Sequence, residues 1–173
     1  MECNNASTVS AMPTIRTHRP GDLGYIIHRH AEIYCNDYGW DGQFELLVAK
    51  VAADFLEHYD PSAERCWVAE RDGKFLGSVM LVREKKAEHT AKLRLLLVEP
   101  AARGLGLGKQ LVNQCIQFAK EVGYHRIVLW TQSILESARK LYRNAGFRLM
   151  EEEKHLSFGA ELVGEHWELD LRG

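Results

Sequence analysis

The sequence predicts a mixed α/β fold, a central twisted sheet of about seven strands flanked by about four helices on its two faces. Three observations predict it. Arg71-Asp72-Gly73-Lys74 sits between two apolar runs and reads as a hairpin turn, so the first half carries antiparallel strands. The second half alternates short apolar strands with amphipathic stretches, the signature of a parallel crossover. No linker or repeat divides the chain, so these elements share one sheet.

The elements follow in order. Thr14 to Arg19 alternates weakly and reads as a first strand, punctuated by Pro20-Gly21-Asp22 with Asp22 as an N-cap. Leu23, Ile26, Ile27, Ala31 and Tyr34 recur at helical spacing to about Asp37, and Gly39 breaks that helix. Phe44, Leu47, Val48, Val51 and Phe55 mark a second amphipathic helix. Arg65 to Glu70 and Phe75 to Arg83 are the hairpin strands, followed by a polar connection and a strand from Thr90 to Val98. Leu111, Cys115, Phe118 and Val122 define a third helix closed by Gly123. Arg126 to Thr131 is a short strand, Leu135 to Asn144 a fourth helix, and Phe147 to Phe158 and Glu165 to Leu171 two final strands.

Composition bounds the function. The 173 residues fit one domain, read as 13–173 behind a tail at 1–12. A net charge of −2 argues against a general nucleic-acid binder. Cys3, Cys35, Cys66 and Cys115 are scattered with neither metal-ligand nor redox spacing, so no metal is expected and a reducing compartment is. No apolar run is long enough to span a membrane and the start lacks a secretory pattern, which together give a cytoplasmic expectation.

The most informative stretch runs from Leu95 to Lys109: strand, Pro-marked turn, alternating glycines, helix. Glycines let the backbone turn tightly and bring its N–H groups against a ligand, and the helix start at Gly108 adds unpaired amides and a positive dipole end. That combination suits a pyrophosphate. A dinucleotide fingerprint starting at Gly104 fails because Lys109 stands where glycine is needed; a P-loop ending at Gly108-Lys109 fails at Arg103 and Gln110.

Arg103-Gly104-Leu105-Gly106-Leu107-Gly108 does resemble the R/Q-x-x-G-x-G/A signature of the GNAT acetyltransferases. Ala138-Arg139-Lys140-Leu141-Tyr142-Arg143-Asn144-Ala145-Gly146-Phe147 resembles that family's A-x-x-L-Y-x-x-x-G-F element. Within the family, His28-Arg29-His30, Tyr38-Gly39-Trp40 and Leu129 to Ser133 look like the GNAT domains fused behind MarR-type regulators; with few residues ahead of the first strand, no such module is expected here.

The resemblance implies acetyl-CoA as co-substrate and a sheet whose fourth and fifth strands splay to admit it. The backbone of Leu96, Leu97 and Val98 would bond the pantetheine arm, with the Leu96 amide as oxyanion donor to the acetyl carbonyl. Such a donor typically contributes about 3 kcal/mol. The amides of Arg103, Gly104, Leu105, Gly106, Leu107, Gly108 and Lys109 would hold the diphosphate. Ser133 would replace a family asparagine whose position here is Leu135, and Tyr142 would bind the cofactor and protonate the leaving thiolate.

One departure bears on mechanism. Lys92 occupies the position of the family's amine-deprotonating glutamate. By position on the first helix, His28, His30, Glu32 and Asp37 are candidate bases. His28 and Glu32 with Tyr34, Tyr38, Trp40 and Trp130 are expected to line the acceptor site. Lys92, Arg94 and Leu96 alternate onto one strand face, and an electropositive face there suits a carboxylate-bearing amine. The expectation is a small-molecule N-acetyltransferase acting in a ternary complex. A protein lysine or N-terminal acetyltransferase and a non-catalytic acetyl-CoA sensor are the alternatives. Exposed final strands suit pairing with a second copy.

Overall fold

The computed structural model describes residues 11–173, so the expected tail lies outside the described residues up to residue 10. Its elements are β1 (Thr14–Thr17), α1 (Asp22–Tyr38), α2 (Gly42–His58), β2 (Arg65–Arg71), β3 (Lys74–Arg83) and β4 (Thr90–Val98). A 3-10 turn at Pro100–Ala102 leads to α3 (Leu107–Val122), β5 (Arg126–Gln132), α4 (Glu136–Asn144), β6 (Arg148–Ser157) and β7 (Ala160–Asp170). They form a seven-stranded sheet in the order β1-β2-β3-β4-β5-β7-β6, in which β4–β5 is the parallel pair. Among the described residues no helix is long and apolar enough to cross a membrane.

Strand alternation assigns the two faces. Cys66, Val68 and Met80 point one way and pack with Leu23 and Ile26 of α1 and Val51, Ala52 and Phe55 of α2. Trp67, Ala69, Val79 and Leu81 point the other way and pack with Leu111, Val112 and Cys115 of α3. Each face thus removes a separate apolar layer from water, the main stabilising contribution in a domain of this size.

Two expectations are corrected. Asp22 does not cap α1. Gly21 takes the cap in a left-handed conformation, φ 95°, without a side-chain bond. The Asp22 carboxylate instead pairs with Arg16 of β1 at 2.7 Å and accepts the Arg19 N–H at 2.6 Å, so it fastens strand to helix. The last strand also begins at Ala160 rather than Glu165. Ser157 pairs with Ala160 across a two-residue turn, Phe158-Gly159, with both residues at positive φ. Phe158 adopts that unfavourable conformation because its ring is buried against Trp40 and Phe44, at 5.0 and 5.2 Å.

The feature that positions the site is in β4. Its register against β3 passes from Met80↔Arg94 to Ser78↔Leu97, so β4 holds one extra residue, and Leu95 has φ 50°. The bulge overturns the expected alternation. Leu95 joins the α1/α2 core, whereas Leu96 packs on the α3 side instead of sharing a face with Arg94. On its other edge β4 pairs with β5 only through Thr90, Ala91 and Lys92, after which β5 runs on with β7 to Gln132↔Gly164. From Leu93 to Val98 the two strands are parted.

Gly77 lets β3 follow this bend, because a Cβ there would sit 2.5 Å from the Leu97 carbonyl oxygen. Gly77→Ala is expected to cost about 2 kcal/mol, roughly 4–8 °C in Tm, through forced displacement of the β4 backbone. Thermal melting of the variant against wild type checks this.

Candidate active site

The parted strands open onto two cavities. The first, of about 450 Å³, is built by the chain leaving β4. Gly104 and Gly106 have φ of 78° and 77°, which turns the backbone sharply into α3. Gly106 caps that helix without a side-chain bond and no acidic residue occupies its first turn, so its leading amides and positive dipole end face the cavity uncompensated. Arg103, Lys109 and Lys140 line the same space, and among the described residues no carboxylate does. Backbone donors, a helix N-terminus and three cations together make a site for a polyanion. The wall is tight: a Cβ on Gly108 would meet Leu141 Cδ1 at 2.7 Å.

Val98, Leu97 and Leu96 continue the lining along the open β4 edge, while Tyr38, Ser137 and Asn144 close it. Leu105 is 59% exposed and lies outside this lining. Ser133 lines neither cavity, its N–H bonding the Val163 carbonyl at 2.8 Å. Ser137, the second residue of α4, takes the lining place expected of it; the signal available for that was its position just ahead of Ala138.

The second cavity, of about 390 Å³, lies toward α1 and α2. His30, Tyr34, Trp40 and Phe44 form one wall, and Lys92 and Arg94 reach in from β4. Trp130, Thr131 and Gln132 of β5 form the opposite wall, Tyr142 reaches in from α4, and Glu153 and His166 stand at exposed positions. Trp130 fits because Gly164 lies beneath it; a Cβ there would be 2.8 Å from the indole Nε1. Tyr34, Leu96, Leu135 and Ala138 line both cavities, so the two meet at these four residues.

Helix α1 spans the junction and is fastened to the glycine-rich turn. Arg29 forms a two-pronged pair with Glu99 at 2.6 and 2.7 Å, and Arg103 approaches Asp37 at 3.4 Å. On the far side, Arg139 of α4 donates to buried Glu165 at 3.0 Å, and Trp167 donates to the same carboxylate oxygen at 2.9 Å. That pair holds α4, and with it Tyr142, against β7.

The structure separates the candidates on α1. His28 and Glu32 face solvent outside both cavities, 3.4 Å from each other, with Glu32 also paired to Arg29. Residues four apart share a face, and that face is not the one carrying His30. Tyr34, Trp40, Arg94 and Trp130 line the second cavity, whereas Tyr38 lines the first. His30 is buried and lines the second. Phe44, Gln132, Leu135 and Ala138 were not anticipated; they look like ordinary core or helix positions, and only the parting of β4 and β5 brings them to the site.

Burial dominates the electrostatics. It holds the Tyr142 phenol well above its usual range, helped by the neighbouring Tyr34 phenol, and pushes Tyr34 up to about 12. Burial also lowers Arg94, which forms no ion pair among the described residues, while Lys92 lies 3.6 Å from Glu84. His30 is pushed down to about 4 by burial, only partly offset by its bond to the Ile26 carbonyl. An unfolded histidine, near 6.5, takes its proton first as pH falls. Stability is therefore expected to be flat above pH 7 and to drop between about 6.5 and 4, with His30 accounting for about 3 kcal/mol of the total. Half-buried His18, also lowered by desolvation, adds in the same direction. Urea midpoints at pH 7 and 4.5 check this, with a shallower fall expected for His30→Leu.

Comparison with known proteins gives these cavities a context. The chain is 33% identical over 104 residues to N-acetylaspartate synthetase of Rattus norvegicus, covering 60% of this chain and 34% of that protein. It thus spans about a third of the length of the synthetases it matches. An uncharacterized N-acetyltransferase of Schizosaccharomyces pombe is 30% identical over 122 residues, 70% of this chain and 74% of that one. Two solved structures share the fold. An N-acetyltransferase of Staphylococcus aureus Mu50 superposes with a TM-score of 0.76 at 22% identity, over 94% of this chain and all of that one. Salmonella typhimurium yncA, solved with its cofactor acetyl-CoA, gives 0.74 at 21%, over 94% and 96%. Residues 27–147 match the model of the acetyltransferase (GNAT) family, and the chain belongs to that family.

Proposed function

We propose that this protein is an acetyl-CoA-dependent N-acetyltransferase whose acceptor is a small primary amine bearing a carboxylate. The observation that carries the reading is the pair of cavities joined at Tyr34, Leu96, Leu135 and Ala138, one lined by cations and helix amides, the other holding Arg94, which has no ion-pair partner among the described residues. A half-buried guanidinium without an anion is costly, and a bidentate carboxylate is its best-matched partner. The rat relative is named a synthetase of N-acetylaspartate, which is the acetyl amide of an amine of this kind.

Acetyl-CoA supplies an activated acetyl thioester. Arg103, Lys109, Lys140 and the amides at the start of α3 hold its diphosphate, and the open edge of β4 from Leu96 to Val98 hydrogen-bonds its pantetheine. The Leu96 amide faces the acetyl oxygen as charge develops there. With both substrates bound, the neutral amine nitrogen bonds the acetyl carbon, the carbon–sulfur bond breaks, and the nitrogen's proton passes through water to the departing thiolate, giving the amide and the free CoA thiol. Tyr142 is held above its ordinary pKa near 10, whereas a thiol lies near 8.5, so full transfer of its proton to the thiolate is uphill. Its phenol therefore acts as a hydrogen-bond donor to the departing sulfur. Lys92, a cation where relatives of the family pattern have a carboxylate, adds positive charge to the acceptor wall rather than taking a proton.

A panel of L-amino acids headed by L-aspartate, each beside the amine left when every carboxylate is removed, with detection of released thiol, tests the reading. Turnover is expected for a carboxylate-bearing amine. Arg94→Gln is expected to raise KM for it at least about 10-fold while leaving the carboxylate-free amine within about threefold. Tyr142→Phe is expected to lower kcat by about 10- to 100-fold with acetyl-CoA affinity unchanged. Tight acetyl-CoA binding with no turnover across the panel would mean a sensor, and absence of binding would end the reading altogether.

A further inference from the structure

Gln132 ends β5 at the side of the acceptor cavity nearest the junction, where its carbonyl oxygen accepts the N–H of Leu135 at 3.0 Å. Its amide oxygen lies 2.9 Å from His155 Nε2, and His155 Nδ1 lies 2.8 Å from Ser157 Oγ. What each atom can do sets the direction of these bonds. An amide oxygen only accepts, so Nε2 carries a hydrogen; in the neutral ring Nδ1 is then a lone pair, to which the Ser157 hydroxyl donates. Protonating the ring reverses the Ser157 bond and leaves the Gln132 bond as it is. With its oxygen held by His155, Gln132 turns its –NH₂ the other way. That nitrogen has no partner among the described residues, yet it is not one of the unpaired polar atoms sealed from contact. It therefore keeps open surface, and the open space that Gln132 borders is the acceptor cavity.

The holder is itself held. Gln132 pairs with Gly164 and Gly164 with Glu153, and His155 follows two residues on, so Gln132 and His155 share a sheet face. The His155 ring is half-buried and lies 5.4 Å from the Trp130 ring. Ser157 is fixed by pairing with Ala160 across the Phe158-Gly159 turn. Arg94 stands two residues past the last β4–β5 pair and Gln132 four past it. The two donors thus approach a bound molecule from opposite sides of the opening, about 7 Å out of step along the strands.

A primary amide nitrogen can only donate. A carboxylate-bearing amine offers it two kinds of acceptor, the amine lone pair and the carboxylate oxygens, and the lone pair is consumed in bonding the acetyl carbon. The acetyl oxygen is served by the Leu96 amide. We propose that Gln132 Nε2 donates to the substrate carboxylate, and that His155 is the residue that positions it by fixing which end of the amide faces the cavity. Without His155 the amide is free to flip, and an oxygen turned to the cavity repels the carboxylate. This rests on the reading of Arg94 given above and adds a second hold on the same substrate.

The probes are the amino acid that the panel above turns over fastest and the amine left when its carboxylates are removed. The readout is the ratio of KM for the first to KM for the second, with acetyl-CoA affinity near wild type as the check of folding. Gln132→Leu is expected to raise that ratio at least about 10-fold, the loss typical of a hydrogen bond to a charged group. His155→Leu is expected to raise it about fivefold or more, but by less than about twofold when added to Gln132→Leu, because nothing is then left to orient. His155→Gln, whose –NH₂ can donate to the Gln132 oxygen, is expected to recover part of the loss. In the ¹⁵N-glutamine-labelled protein with CoA bound, the Gln132 side-chain amide, assigned from its proximity to the His155 ring, is expected to shift with the amino acid and not with the carboxylate-free amine. An amide that answers both alike, or an unchanged ratio in folded Gln132→Leu, overturns the proposal while the Arg94 result stands. So does a fall in kcat of equal size for both probes, which would place the donor on the acetyl oxygen. Additive effects in the double variant overturn the positioning role of His155. Arg94→Gln without effect on the ratio overturns the carboxylate reading and this proposal together.

Discussion

The parting of β4 from β5 is the constraint on which the site depends. A parallel pair of this kind would ordinarily zip along its full length, and here the ladder stops at Lys92↔Val128. The extra residue at Leu95 re-aims β4 just past that point, and Gly77 removes the side chain that would oppose the bend. β5 does not follow, because from Leu129 onward it is held by β7. Unpaired backbone in a sheet interior is normally a liability. Here it supplies the directed N–H and C=O groups that an extended, amide-containing substrate can satisfy.

Charge is sorted around this opening. The cavity at the glycine-rich turn is wholly cationic, and its backbone dipoles point the same way. The second cavity mixes Lys92 and Arg94 with aromatic walls and keeps its one lining carboxylate, Glu153, at an exposed position. Helix α1 links the two. Arg29 and Asp37 tie it to the segment around Glu99 and Arg103, while its inner face presents His30 and Tyr34. The exposed Arg103–Asp37 pair contributes little to stability. The shielded, two-pronged Arg29–Glu99 pair is what keeps α1 in register with the turn.

Much of this architecture was legible in the sequence, and the reasons are local. The order of the elements follows from hydrophobic period, and the hairpin from Asp72-Gly73. The alternating glycines marked the sharp entry into α3 because the turn needs positive φ at Gly104 and Gly106. What escaped notice depends on tertiary contacts. Leu95 is a non-glycine residue at positive φ inside an apolar run, so no residue type announces the bulge, and the face assigned to Leu96 was wrong in consequence. Asp22 has the chemistry of a cap but is captured by Arg16 from another element. The turn at Phe158-Gly159 is hidden because a buried aromatic supplies its first residue. His28 and His30 look alike in sequence, and only the helix face distinguishes them.

The junction between the cavities has a consequence for which acyl groups the protein can handle. Leu96, Leu135 and Ala138 surround it with aliphatic atoms, and Tyr34 is its only polar member. On the proposed chemistry, two carbons end at this neck. A longer tail would push through it and occupy volume that the amine needs. Chain-length selectivity then arises from competition between the donor's own tail and the incoming nucleophile, with the bulk of residue 138 as the setting that evolution or an engineer would turn.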